Sequence, residues 1–279
     1  MAETRALVLA GGGVAGIAWE LGLIIGLGRQ GVDVTNPDLI VGTSAGSTVG
    51  AQIASGVPLA ELEAAQLSEV TREIAVDLDV EAFRATLAEL VADAPDPQTA
   101  RARVGSMALE AKTVPEEVRR QAIEARLPVH EWPAQPLVVT AIDAATGELS
   151  LLDRDSGVSL VDAVAASCAV PGVWPPVTIE GRRYIDGGAR SLANADLAAG
   201  HDRVLVVVPM ALEGPYRDDL DAELVILAET GKTRVIAADD ASLAAIGPNP
   251  LDPSRRPDAY RAGVAQGEAA ASDVAEFWV

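Results

Sequence analysis

The stretch Leu39-Ile-Val-Gly-Thr-Ser-Ala-Gly46 decides the fold that we expect for this chain. An apolar run, residues 38–41, leads into a Gly-x-Ser-x-Gly pattern at residues 42–46. A segment of small residues, 47–55, follows. We interpret the two flanks as a buried strand and a helix, which places Ser44 on the sharp turn between them. A serine on such a turn presents its hydroxyl to a substrate, so Ser44 is the first candidate nucleophile.

Two glycines frame this turn. Gly42 and Gly46 suit a strained backbone and a close approach of neighbouring segments, which a Cβ atom at either position would obstruct. The turn also aims the first amides of the following helix, beginning with that of Ala45, at negative charge forming near the Ser44 hydroxyl. The pentapeptide alone leaves an ordinary loop open, because short strings of this kind also occur by chance.

The composition is that of a globular protein with a large core. Of its 279 residues, 49% are hydrophobic and 22% are charged, and no shift in composition demands a division. We therefore expect one α/β domain over residues 1–279. With 21 basic and 41 acidic residues the formal charge is −20. Phosphodiester backbones and anionic membrane surfaces repel such a chain, so we expect no nucleic-acid partner.

Two features bear on the compartment. The single cysteine, Cys168, cannot form an internal disulfide, and its apolar helical surroundings favour a structural role.

Residues 6–28 are almost uncharged and long enough to suggest a membrane span or a signal peptide. The glycine run at 11–13, Glu20 within the segment and Glu3 before it favour a strand, a turn and a buried helix instead. We expect a cytoplasmic protein.

Strands and helices alternate along most of the chain. We predict strands at residues 5–10, 38–41, 136–142, 148–153, 177–179, 182–185, 203–209 and 234–237. This alternation is typical of a mostly parallel sheet between helical layers. Residues 59–132 differ, because they contain alanine-rich helical segments punctuated by prolines and no convincing strand. We interpret them as a helical insertion and as a candidate cover for the mouth of a site.

A catalytic serine needs a base, and histidine is the usual one. A serine hydroxyl is a poor nucleophile near neutral pH unless a neighbouring group takes its proton. His130 lies in a proline-flanked polar turn of the insertion, and His201 follows Ala198-Ala-Gly200 at a helix end. Neither ends a strand, as a triad histidine typically must to meet a serine on such a turn. We therefore favour structural roles for both and disfavour a Ser-His-Asp triad.

Asp186 is the better candidate base. A predicted strand ending in Tyr184-Ile185 places it at the sheet edge where Ser44 also emerges, and Gly187 and Gly188 let the chain turn tightly around it. A carboxylate is a weak base in water, but in a dry site its pKa rises and it can take the serine proton. Asp-Gly-Gly is also a common turn sequence, so the pattern alone leaves a purely structural role open.

The glycine run after the first predicted strand has two interpretations. Gly11, Gly12 and Gly13 offer backbone amides at a helix start, as an oxyanion hole requires. The pattern Gly11-x-Gly13-x-x-Gly16 also fits a dinucleotide-binding fingerprint, with Asp33 near its acidic position. Two observations count against the cofactor. A dinucleotide-binding site leaves the Gly-x-Ser-x-Gly turn unexplained. In addition, Asp33 lies in a turn sequence rather than at the end of an apolar strand.

Three sequence motifs occur in a fixed order along the chain, and together they identify a protein family far more specifically than any one motif does. They are Gly11-Gly-Gly-Val-Ala-Gly16, Gly42-Thr-Ser-Ala-Gly46 and Asp186-Gly-Gly188. Together they resemble the patatin-like phospholipase family. A fourth block, Ala165-Ala-Ser-Cys-Ala-Val-Pro-Gly-Val-Trp-Pro-Pro176, is similar to the segment that precedes the aspartate hairpin in that family. The resemblance runs from about residue 5 to about residue 210 and is weakest within the insertion.

The resemblance implies a three-layer α/β/α fold and a Ser-Asp dyad that hydrolyses acyl esters of lipids without a metal or cofactor. It makes Ser44 the nucleophile, Asp186 the general base, and the amides of Gly12 and Gly13 the donors to the oxyanion. One departure concerns the first block, where the family usually carries Arg or Lys and this chain has Ala15. The missing cation leaves the dyad intact but weakens the case for binding a phospholipid headgroup.

The leading hypothesis is a serine esterase of this type that acts on a fatty acyl ester through an acyl-enzyme. The alternatives are acyl transfer with the same dyad, dinucleotide binding, and a catalytically inactive lipid-binding protein. The implied partner is a lipid or another acyl ester, with transient contact to a membrane surface as an open option. Trp19 and Trp174 lie close to the first block and in the fourth; we favour core packing for both over lining the site.

Overall fold

One mixed sheet of eight strands organises the protein in the computed structural model, which describes residues 3–278. The strands are β1 (Arg5–Leu9), β2 (Leu39–Gly42), β3 (Leu137–Asp143), β4 (Leu149–Leu152), β5 (Val177–Ile179), β6 (Arg182–Asp186), β7 (Arg203–Val208) and β8 (Lys232–Ala237). Each coincides with a predicted strand to within two residues at either end. The apolar and β-branched runs of the sequence therefore locate the sheet correctly.

The strand order is β5-β6-β3-β2-β1-β7-β8, and β4 pairs with β3 away from this path. Strands β3, β2, β1, β7 and β8 pair in parallel, whereas β4, β5 and β6 enter through antiparallel pairs. In β1 and β7 every residue after the first is buried. This is the burial that a central parallel strand acquires when helices cover both faces of a sheet.

Ten α-helices surround the sheet within residues 3–278. They are α1 (Gly13–Arg29), α2 (Ala45–Ile53), α3 (Leu59–Leu67), α4 (Val80–Val91), α5 (Pro97–Glu110), α6 (Glu116–Arg126), α7 (Leu160–Ser167), α8 (Pro215–Ala228), α9 (Asp240–Ile246) and α10 (Arg256–Trp278). Residues 59–132 contain α3 to α6 and no strand, which confirms the helical character predicted for them. Helix α9 was not predicted; its seven residues are too few to display a helical period.

The core is divided by the sheet into two layers. In β1, Leu7 and Leu9 belong to the larger cluster, which includes the buried faces of α1, α2, α7 and α10. Ala6 and Val8 belong to the opposite cluster, which includes Leu220 of α8. Alternate residues of a strand point to opposite faces, so β1 contributes to both layers. This arrangement confirms an α/β fold with a mostly parallel sheet between helical layers.

Helices α1 and α10 approach each other at backbone distance. A Cβ atom at Gly22 or Gly26 of α1 would overlap carbonyl oxygens of α10, and one at Gly263 or Gly267 of α10 would overlap carbonyl oxygens of α1. The apolar segment that contains α1 is therefore an internal layer of the fold. No helix formed by residues 3–278 is long and apolar enough to span a membrane.

Candidate active site

Ser44 lies on a strained turn between β2 and α2, as predicted. Its φ of 52° and ψ of −112° are unusual for a residue with a side chain, and such a conformation costs about 1–3 kcal/mol. Neighbouring groups hold it in place. The Ser44 amide donates to the Ser167 hydroxyl at 2.8 Å, and the Ser47 hydroxyl and the Cys168 thiol donate to the Ser44 carbonyl at 2.6 and 3.3 Å.

The two glycines of the turn permit the close contacts expected of them. A Cβ atom at Gly42 would lie 2.6 Å from Cα of Ser47, and one at Gly46 would overlap the carbonyl oxygen of Leu9. The Gly46 amide donates to the carbonyl of Ala10 at 3.1 Å, which ties α2 to the end of β1. Any larger residue at Gly46 would have to push the first turn of α2 away from the sheet.

Asp186 ends β6 and is only 4% exposed. Burial raises the pKa of its carboxyl to about 7, although the amide of Gly188, a side-chain hydrogen-bonding interaction with Ser44 and the charge of Arg119 act in the opposite direction. The Gly188 amide donates to Oδ1 at 2.8 Å. At neutral pH this carboxyl is therefore poised between its protonated and ionised forms, as a general base requires.

Ser44 and Asp186 meet because two strands end at neighbouring positions along β3. Strand β2 runs parallel to β3 and ends with Gly42 opposite Val139. Strand β6 runs antiparallel to β3 and ends with Asp186 opposite Ala141. Strand β6 thus runs in the opposite direction to β2, and both strands end beside the same part of β3. The conclusion that the two residues meet is correct.

A buried polar network beneath the two residues was missed by sequence reasoning. The hydroxyls of Thr43 and Thr140 lie 2.9 Å apart, and the Asn194 amide donates to Thr43 Oγ1 at 3.1 Å and to the Gly187 carbonyl at 3.3 Å. A Cβ atom at Gly187 would overlap the Thr140 hydroxyl. The only available signal was Thr43, which lies inside the Gly-x-Ser-x-Gly pattern.

The backbone amides near Ser44 differ in availability. The Gly11 amide donates to the Leu192 carbonyl at 2.8 Å, so its inclusion among the oxyanion donors was wrong. The amides of Gly12, Gly13 and Ala45 have no acceptor within residues 3–278. Gly13 opens α1 with φ +65°, a left-handed conformation that suits glycine. Three amides at two helix starts thus remain free to bind a negatively charged oxygen.

Residues 7–199 match the family model described as patatin-like phospholipase. The chain belongs to the patatin-like phospholipase family. This membership places the protein among the lipid hydrolases, and the matched residues contain the three blocks that carry Ser44, Asp186 and the glycine run.

Two solved structures resemble this patatin-like protein over most of its length. VipD from Legionella pneumophila is 14% identical with a TM-score of 0.44, and the match covers 96% of this chain and 67% of that one. The type III effector protein ExoU is 16% identical with a TM-score of 0.38, and the match covers 96% of this chain and 53% of that one. The chain thus spans about half to two thirds of the length of these proteins.

A cavity of about 600 Å³ opens above Ser44 and Asp186 in this patatin-like protein. One side of this cavity consists of residues 11–13, Ser44, Asp186 and Gly188, and we call this side the floor. The remaining lining is mostly aliphatic and aromatic. An apolar cavity with a few convergent polar groups on one side is the usual form of a small-molecule site.

Helix α4 of the insertion forms one wall of the cavity. We call this wall the cover. Val80, Phe83, Leu87 and Val91 line the cavity, although none of the residues of α4 is fully buried. The Arg84 guanidinium lies over the ring of Tyr216 in α8, 4.9 Å from its centroid. This contact connects α4 with α8, which also lines the cavity.

The two tryptophans, the two histidines and Asp33, which the sequence also offered as candidates, have structural roles. Trp19 and Trp174 are at most 1% exposed and do not line the cavity, which confirms core packing for both. The two histidines lie outside the cavity, where His130 Nε2 contacts the Glu124 carbonyl and His201 Nδ1 the Ala198 carbonyl. Asp33 accepts hydrogen bonds from the amide and hydroxyl of Thr35, as a turn residue does.

Burial raises the pKa of the Cys168 thiol, which fits the structural role predicted for this residue. Within residues 3–278 no group of three or more His, Cys, Asp or Glu side chains is arranged to hold a metal ion.

Proposed function

We propose that this protein is a serine acyl hydrolase that cleaves fatty acyl esters through Ser44 and Asp186. One observation carries the proposal. A serine on a strained turn faces a buried carboxyl whose pKa lies near 7, and both open into one apolar cavity. Membership of the patatin-like family supports the same reaction class.

The first half-reaction is the attack of the Ser44 hydroxyl on the ester carbonyl. As the bond between Oγ and the carbonyl carbon forms, the ionised Asp186 takes the hydroxyl proton. The same proton then passes to the leaving alcohol as the ester bond breaks, which leaves an acyl-enzyme on Ser44. A single carboxyl can perform both transfers because its pKa is close to the operating pH.

The carbonyl oxygen becomes negatively charged during the attack. The amides of Gly12, Gly13 and Ala45 supply the donors at two helix starts, and a donor of this kind typically contributes about 10²–10³ in rate. In the second half-reaction Asp186 takes a proton from water, the resulting hydroxide equivalent attacks the acyl carbon, and Ser44 regains its hydroxyl proton.

The cavity favours an aliphatic acyl chain as the group bound beside Ser44. Apart from Arg84, the side chains of the cover that line the cavity are apolar, and Leu192, Met210 and Leu251 continue the apolar surface around the floor. A fatty acyl chain would bury its methylene groups against these side chains at about 0.8 kcal/mol each. We therefore infer that the acyl chain, rather than the leaving group, supplies most of the binding energy.

We also propose that residues 1–279 form one patatin-like domain, with the insertion at 59–132 as part of it. Supporting this proposal, β7 and β8 extend the same sheet and α10 packs along α1. Of these elements, β7, β8 and α10 follow the last residue that the family model matches.

An activated serine is tested independently of the substrate by a fluorophosphonate probe. We expect labelling at Ser44, hydrolysis of acyl esters of graded chain length, and loss of both in the Ser44→Ala variant. Product analysis with added alcohols separates hydrolysis from acyl transfer, because only transfer yields a new ester. Esterase activity that survives Ser44→Ala in protein free of other hydrolases would exclude this function.

A further inference from the structure

A second cavity of about 370 Å³ lies between α1, α2, α3, α6 and the start of α10. None of its lining residues also lines the cavity above Ser44. Val70, Thr71 and Arg72 line it and are exposed, so it opens to solvent along the segment after α3. Its volume lies within the range of small-molecule sites.

The charges lining this second cavity are unbalanced. Its described walls carry three arginines, Arg72, Arg126 and Arg256, but a single carboxylate, Glu73. Arg126 takes both oxygens of Glu73, with Nε to Oε1 at 2.6 Å and Nη2 to Oε2 at 2.7 Å. The side chains of this pair are only 7% and 8% exposed. Two positive charges thus remain in a protein whose formal charge is −20.

A further arginine behind the wall increases the imbalance. Arg119 is 4% exposed, and its Nη1 lies 4.0 Å from Glu73, which Arg126 already occupies. Within residues 3–278 its Nε and Nη1 have no hydrogen-bond partner. Burial lowers the pKa of Arg119 to about 9 and also lowers that of Arg256, which shows that nearby carboxylates do not offset the desolvation of these cations.

The Gln52 side chain adds an unpaired acceptor to the same wall. Gln52 is 4% exposed and lines the cavity, and its Nε2 donates to the Arg126 carbonyl at 2.9 Å. This bond fixes the orientation of the amide and leaves Oε1 without a donor within the described residues. Leaving a buried acceptor unpaired is unfavourable, and a ligand hydroxyl would supply the missing donor.

We propose that this second cavity binds a small hydroxylated phosphate monoester, with its phosphate beside Arg256 and Arg72 and a hydroxyl donating to Gln52 Oε1. A phosphate monoester carries about −1.5 to −2 charges at neutral pH, which matches the surplus of two positive charges. Arginine is well suited to phosphate oxygens because of its planar array of donors. The site does not depend on the hydrolytic function, since it shares no lining residue with the cavity above Ser44.

Gln66 provides a sharp test, because its Oε1 accepts from Arg256 Nε at 3.2 Å and the residue is 6% exposed. Gln66→Glu keeps this acceptor and supplies a negative charge that competes with the ligand. We expect calorimetry to show saturable binding of glycerol 3-phosphate and inorganic phosphate to the wild-type protein. The affinity should fall about tenfold or more in Gln66→Glu, while the ligand-free variant melts at a higher temperature.

Two further variants separate the charge effect from general effects. Gln30→Glu introduces the same charge at an exposed position outside the cavity and should bind as the wild type does. Gln52→Leu leaves the charge unchanged and should weaken glycerol 3-phosphate about tenfold while leaving the site accessible. Thermal shifts are read only as differences between variants, because phosphate stabilises many folded proteins without binding.

The source of the phosphate is distinguished with phosphatidylcholine vesicles that do or do not contain phosphatidic acid. Binding of glycerol 3-phosphate that Gln66→Glu weakens about tenfold or more identifies a soluble ester as the ligand. Binding only to vesicles with phosphatidic acid, again weakened about tenfold or more by Gln66→Glu, identifies a lipid headgroup and supports the same phosphate chemistry. Binding of neither probe to the wild type, or binding that Gln66→Glu weakens by less than this, would overturn the proposal.

Discussion

The floor and the cover of the large cavity are built in opposite ways. On the floor, Ser44 and Asp186 are less than 10% exposed, and hydrogen bonds fix the backbone on either side of the serine. On the cover, no residue of α4 is fully buried, and its apolar side chains face the cavity. The difference teaches that many contacts hold the proposed reacting groups in place, whereas few contacts hold the surface proposed for the acyl chain.

The largest effect is expected at Asp186 on the floor. Asp186→Asn removes the base, so kcat/KM should fall by about 10³-fold or more. The same change should stabilise the protein at pH 8, because ionising a carboxyl with a folded pKa of about 7 and an unfolded pKa near 3.9 costs up to about 4 kcal/mol. Ester hydrolysis and urea unfolding of both proteins measure the two effects.

The stability gain has a defined pH window. The folded carboxyl stays protonated up to about pH 7, while the unfolded one ionises near pH 4, so wild-type stability declines between these values and then levels off. The two proteins should therefore be equally stable near pH 4 and differ most above pH 7. A difference that is the same at both pH values would contradict a raised pKa of Asp186.

The backbone of the floor is tested by Gly46→Ala. The added Cβ atom would overlap the Leu9 carbonyl oxygen, so we expect a loss of about 3 kcal/mol or more in the free energy of unfolding, or no folded protein. The matched control is Gly28→Ala, where a Cβ atom would meet nothing within 4 Å. This control should be neutral or slightly stabilising, because alanine favours the helix that glycine disfavours.

The pH dependence of activity tests the same carboxyl in the assembled site. Asp186 must be ionised to take the serine proton, so activity is lost as the pH falls through about 7. Below that value kcat/KM should decrease about tenfold per pH unit. A profile that stays flat down to pH 5 would show that another group acts as the base.

The cover is tested by Phe83→Ala, which is expected to have the smallest effect. Because no residue of α4 is fully buried, the free energy of unfolding should change by less than about 1 kcal/mol. For long acyl esters kcat/KM should fall about tenfold, since contact with the chain is lost, while short esters are little affected. Glu89→Ala, on the same helix but away from the cavity, is the control.

Sequence reasoning succeeded where a local pattern determines local geometry. The Gly-x-Ser-x-Gly pattern places Ser44 between β2 and α2, because the strand, the turn and the helix are contiguous. The same holds for the glycine run before α1 and for the helices of residues 59–132. Ser44 and Asp186 also line one cavity, although the strands that carry them are far apart in the chain.

The rest depends on contacts between distant residues, which no local pattern contains. The direction of β6 relative to β3 is set by their pairing across the sheet, and the sequence predicted no direction for it. The Gly11 amide is occupied by the carbonyl of Leu192, a residue from another part of the chain. Asn194 reaches Thr43 in the same way. Such hydrogen bonds decide which amides and hydroxyls remain available for chemistry.

The contact between α1 and α10 has a practical consequence for dividing the chain. The family model ends at residue 199, and a fragment cut there would lack β7, β8 and α10. Gly22 and Gly26 would then leave an uncovered furrow along α1, the helix whose first turn carries Gly13. Such a fragment would expose apolar surface and a free edge of β1, so we expect it to aggregate. We therefore expect the folding unit to extend beyond the last residue that the family model matches.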